Sequence, residues 1–125
     1  MSRLSRTLRL QLINSPVGDE VGERVYPVRL PQGATIPAVV YQRISTDPVR
    51  SHSGNSGLAT VRFQLSCWAE TYDEASTIAE KIRTALHGKR DLGPASAVVN
   101  DLEGFEEDLG LWYRYVDVQL RGDDG

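Results

Sequence analysis

Leucines at positions 4, 8 and 12 recur every four residues, and the arginines at 3, 6 and 9 fall on other faces. That spacing predicts an amphipathic first helix, starting near Ser2 or Ser5 and closing by Ser15-Pro16, where proline disfavours continuation. Leu10 and Ile13 widen its apolar side. Residues 17–23 show no sustained period and read as a glycine-containing connection. Residues 24–30 predict a short strand, which Pro27 confines to an edge or a bulge. Residues 31–35 read as a turn.

Residues 38–46, dense in Val, Tyr and Ile, predict a second strand. The stretch 47–58 reads as an irregular loop. Its centre at 51–57 has no apolar anchor, so a mobile tip is expected there. Alternation is clearest over 59–69: Ala59, Val61, Phe63, Leu65, Cys67 and Ala69 share one face, and the intervening residues are mostly polar. This predicts a half-buried antiparallel strand. Thr71 and Glu74 then fit a capping box. Ala75, Ile78, Ala79, Ile82, Ala85 and Leu86 follow at helical intervals, and Gly88 supplies a stop. Residues 96–103 and 111–121 predict two more strands, joined through an acidic segment at 105–110. Residues 122–125 read as a short polar tail. The expected fold is one α+β domain in the order α-β-β-β-α-β-β. Four or five mainly antiparallel strands would carry two helices on one face.

Composition narrows this further. With 125 residues, 40% of them hydrophobic, the chain can bury a core without staples. A single cysteine precludes an intrachain disulfide, and no apolar run is long enough to span a bilayer. The formal charge is −3, unlike the basic footprint of a general nucleic-acid binder. Charge is segregated along the chain. Residues 1–62 hold eight arginines against four acids, a net +4, whereas 63–125 hold six bases against 13 acids, a net −7. Such a distribution permits copies to meet head to tail through complementary faces.

Candidate chemistry is sparse. His52 lies in the polar loop without a nearby acid, and His87 ends the second predicted helix, where a cation suits the dipole. Cys67 falls on the core face of its strand, where a free thiol packs as a small hydrophobe. Asp101, Glu103, Glu106, Glu107 and Asp108 lack calcium-loop spacing and read as a solvated rim. Residues 54–57 match no phosphate-binding turn. Arg121-Gly122-Asp123 spells an adhesion tripeptide, a chance match at this length. No cofactor or metal is expected, and no catalytic residue. The residues that do invite a role suit contact with other proteins. Arg43, Arg50 and Arg62 are the candidate basic side, facing Asp101, Glu103, Glu106 and Glu107 of a neighbour. His52 and Asn55 sit on the loop, and Trp112 and Arg114 are candidate anchors.

Two stretches carry a family resemblance. One is Val25-Tyr26-Pro27 with Pro31-Gln32-Gly33-Ala34-Thr35-Ile36-Pro37-Ala38-Val39-Val40-Tyr41-Gln42-Arg43-Ile44-Ser45. The other is Phe63-Gln64-Leu65-Ser66-Cys67-Trp68-Ala69, then Thr71-Tyr72-Asp73-Glu74-Ala75 and Ile82-Arg83-Thr84-Ala85-Leu86. With the final strand at Tyr113-Arg114-Tyr115-Val116-Asp117-Val118, the chain resembles the tail-completion family of tailed phages and prophages over roughly residues 4–120. The resemblance implies a non-enzymatic virion protein, assembled in the bacterial cytoplasm. It would form a homo-oligomeric, typically hexameric ring at the head-proximal end of the tail. Its implied partners are the tail tube protein, the head-tail connector and passing DNA, bound without sequence specificity and with no membrane. Another neck or tube component, a small α+β enzyme and a nucleic-acid binder are the alternative readings.

Overall fold

The structure, a computed structural model, describes residues 3–51, 54–86 and 97–123. Helix α1 spans Arg3–Ile13, and its leucine stripe does what the spacing requires: Leu4, Leu8 and Leu12 are all buried. Each such side chain contributes roughly 1.5–3 kcal/mol on burial. The chain then departs from expectation. Residues 17–23 are mostly not a connection, because a second helix, α2, runs Pro16–Val21. Ser15 caps it by accepting from Val17 N at 3.2 Å, and its own hydroxyl donates to Leu12 O at 2.8 Å. Proline at the first position and Asp19 in the first turn complete the start signal. Val17 and Val21, four apart, bury the inner side. Gly18 is required by packing, since a Cβ there would run into the Ile13 carbonyl.

Strand β1, Val25–Pro27, lies at a sheet edge as its proline demands, and it pairs in parallel with β2, Ala38–Ser51. The remaining three pairings are antiparallel. Strand β3, Gly54–Ala69, forms a long hairpin with β2. This corrects the loop expected at 47–58: Asp47 pairs with Thr60, Pro48 with Ala59, Arg50 with Asn55 and Ser51 with Gly54. The ladder is held by backbone groups, which a polar sequence supplies as well as an apolar one. Register shifts between Arg43 and Ser45 and between Pro48 and Arg50 absorb the irregularity. Residues 52 and 53 lie outside the described residues.

Helix α3, Tyr72–Leu86, begins at the expected cap, with Glu74 N donating to Thr71 Oγ1 at 3.2 Å. All six residues of its predicted apolar stripe are buried. The Gly88 stop lies outside the described residues. Strands β4, Ala97–Glu106, and β5, Leu111–Asp123, are joined by a turn in which Gly110 adopts a φ of 67° and its N–H reaches Glu106 O at 2.8 Å. Strand β4 therefore runs three residues beyond the expected end. The predicted polar tail is also partly strand, since Gly122 and Asp123 still pair with Ala59 and Leu58. The sheet order is β1-β2-β3-β5-β4. The three helices of the described residues share one core on one face of the sheet, over Val39, Tyr41, Phe63, Leu65, Cys67, Val116, Val118 and Leu120. The fold is α+β, as the residue pattern implies; the described residues form five strands, within expectation, and three helices where two were expected.

Candidate assembly interface

Strand alternation sends Arg114 of β5 toward the helices, where its side chain is only 13% exposed. Its guanidinium donates to Ser76 Oγ at 3.3 Å and pairs with Glu80 at 3.9 Å and Glu103 at 3.6 Å. The Tyr72 hydroxyl donates to the same Glu103 carboxylate at 2.9 Å. A positive group held mostly out of water thus ties α3 to the two last strands. Next to it, Trp112 is the hub of an aromatic cluster. Tyr72 meets it edge-on at 5.6 Å and Phe105 at 4.9 Å. Tyr72 and Phe105 are both close to half exposed, so the cluster reaches the surface.

The helix-free face carries a second aromatic row. Trp68 of β3 packs on Tyr113 at 5.4 Å, and Tyr113 stacks on Tyr115 at 4.7 Å. Gly104 of β4 lies opposite Tyr113, and the tyrosine covers the space that a side chain there would fill. Burial raises the Tyr115 phenol above its ordinary pKa, helped by Tyr113 and the Glu106 carboxylate. At one end of this face, Tyr26, Pro27, Arg29, Ile36, Leu109 and Leu111 border a hollow of about 840 Å³.

The residues singled out from sequence are not gathered into one patch. Arg43 is anchored on its own chain: it donates to Thr46 Oγ1 at 3.1 Å and Ser5 Oγ at 3.5 Å, with its guanidinium 5.6 Å from the centre of the Phe63 ring. Arg62 is half-buried on the helix-free face, opposite Gln119. Glu103 and Arg114 satisfy each other, and Trp112 sits inside the aromatic cluster. Glu106 Oε1 accepts from Asp108 N at 3.2 Å, so it caps the turn in which Glu107 is exposed. Arg50 and Asn55 are register partners near the hairpin tip, and Asp101 lies on β4 opposite Val116. His52 lies outside the described residues. Sequence reading missed Tyr72 and Phe105 as the partners of Trp112. The Phe105 contact depends on β4 reaching Glu106, beyond its expected end.

Backbone accounting separates the sheet edges. Strand β1 is closed: Val25 N donates to Glu23 O at 2.8 Å, Arg9 Nε donates to Val25 O at 3.1 Å, and Arg29 N donates to Pro27 O at 2.8 Å. Pro27 itself has no N–H. Strand β1 covers only Val39 to Tyr41 of β2. Among the described residues no strand flanks β2 beyond that point, and none flanks the outer side of β4. A strand edge with no neighbouring strand is a template for another strand.

Cys67 is fully buried in the core, where its thiol packs as the sequence predicts. Among the described residues, no cluster of three or more potential metal ligands occurs, and no helix is long and apolar enough to cross a membrane. The geometry defines a small α+β domain, clad in helices on one side of its sheet, with two strand edges that no other strand flanks among the described residues. The family model of tail completion protein gp17 matches residues 7–106, and the chain belongs to that family. It is a structural component of the tail or neck of phage-like particles. Among solved structures, a chain in the virion of a native gene transfer agent particle has the same fold, with a TM-score of 0.68 and 17% identity. That likeness covers 99% of this chain and 96% of the other. Among curated protein sequences there is no significant match.

Proposed function

We propose that this chain closes the head-proximal end of a phage-like tail as a homo-oligomeric ring, hexameric in its simplest form. The ring ends the tail tube, receives the head-side connector and leaves a channel through which DNA passes without sequence readout. Family membership over residues 7–106 carries this reading. Two open strand edges on a monomer support it, because head-to-tail repetition of unlike edges closes into a ring when the rotation allows. A chain that acts by shape needs no cofactor and no catalytic group.

The test is removal of the gene from a producing host, followed by electron microscopy of the particles. Heads without attached tails, or tails of uncontrolled length, are the expected phenotype. DNA-filled heads joined to tails of normal length in its absence would refute the assignment.

A further inference from the structure

We propose that copies join through their open strand edges: β4 of one copy adds to the part of β2 beyond Tyr41 of the next. This rests on the ring proposed above and specifies its contact. The two edges are unlike. Strand β4 carries Glu103 and Glu106 and no base among its described side chains, and Arg114 of β5 answers Glu103. The uncovered part of β2 carries Arg43 and Asp47 among its described side chains. It lies beside α1, which carries Arg6 and Arg9 and no acid, since Arg43 reaches Ser5. Two β4 edges would set like charges against each other, which disfavours self-pairing. Apolar surface is present on both sides. Leu102 is 58% exposed and Phe105 45% exposed on β4, and Ile44, at the register shift of β2, is 43% exposed.

Direction agrees as well. Successive antiparallel pairings of β2 with β3, β3 with β5 and β5 with β4 make β2 and β4 run oppositely. Rotation about an axis near the strand direction therefore sets β4 antiparallel to the neighbour's β2, the stronger of the two ladders. Strand β1 blocks the ladder at Tyr41, so the neighbour must be displaced along the strands. Displacement of that kind is what tilted strands in a closed array require.

Amide hydrogen exchange on the unaltered protein, as monomer and as assembled oligomer, tests this without a mutation. Protection should rise by about tenfold or more in residues 42–47 and 99–106 on assembly. Assembled oligomers with exchange unchanged in both segments would overturn the edge pairing and leave the ring standing. Failure to oligomerise, alone or on tails, would remove both. A second arm uses the Ile44→Cys/Leu102→Cys double variant with a short bis-maleimide. A ladder of covalent multimers is expected, and each single variant should stay monomeric on denaturing gels. Dimers from Leu102→Cys alone would show β4 pairing with itself and overturn the proposal.

Discussion

Tyr113 of β5 lies across Gly104 of β4, and a methyl group at position 104 would collide with the tyrosine ring and hydroxyl. In an ordinary strand, glycine costs roughly 0.5–1 kcal/mol relative to alanine. Here the ring, held between Trp68 and Tyr115, reverses that preference. Gly104→Ala should therefore destabilise the protein by about 1–3 kcal/mol. In a Tyr113→Ala background the same change should be neutral or stabilising. Urea unfolding of the four proteins gives the cycle, and additive effects would show that the two positions do not interact.

Arg114 gives a contrasting case. Its partners Glu80 and Glu103 are 61% and 48% exposed, so each rehydrates readily when the arginine is removed. Arg114→Ala is expected to cost about 1–3 kcal/mol, mostly through lost packing of its stem and the bond to Ser76. Glu103→Gln should cost about 1 kcal/mol or less, as partly exposed ion pairs do. A larger loss at Glu103 than at Arg114, measured by chemical unfolding, would contradict this ranking.

Gly18→Ala probes the junction between α1 and α2. The added carbon meets the backbone carbonyl of Ile13 rather than a movable side chain, so the helices must part. A loss of about 1–3 kcal/mol is expected, although alanine is the better helix former. Thr71→Ala, which removes only the cap of α3, should cost about 1 kcal/mol. Thermal midpoints of the two variants should fall in that order.

The long periodic elements were legible because burial repeats: Leu4, Leu8 and Leu12 on α1, the stripe of α3, and the alternation from Ala59 to Ala69. Helix α2 escaped because six residues hold only one four-residue repeat, Val17 to Val21, and its start signal was read as a stop for α1. The extension of β2 and β3 past residue 47 escaped for a different reason. Backbone pairing leaves no side-chain period when both faces of a ribbon are polar. The charge candidates rest on residue type alone, which carries no information about surroundings. Nothing in the spacing of Arg43, Glu103 or Arg114 tells that the first reaches Ser5 on α1, or that the other two answer each other across β4 and β5.

Cys67 offers a readout of core opening. It is fully buried among Phe63, Leu65 and their neighbours. Labelling by a thiol reagent in native buffer should be roughly a thousandfold or more slower than in denaturant, because reaction waits for unfolding. Rapid modification of the folded protein would mean that β3 opens locally.

Two tyrosines contribute to the loss of stability at alkaline pH. Burial raises the Tyr41 phenol above its ordinary value of 10.0, with partial opposition from the Arg9 charge. Tyr115 is raised by burial, with Tyr113 and Glu106 adding to it. Below about pH 10 both phenols are protonated in the folded and unfolded chains alike, so their contribution is fully present. Above that value the unfolded chain loses protons first. Unfolding then releases protons, and stability falls as pH rises through the folded pKa values. Tyr115→Phe removes one of the two groups. It should leave the urea midpoint near neutral pH little changed and make its decline above about pH 10 shallower. An equally steep decline in the variant would show that Tyr115 ionises no later in the folded protein than in the unfolded one.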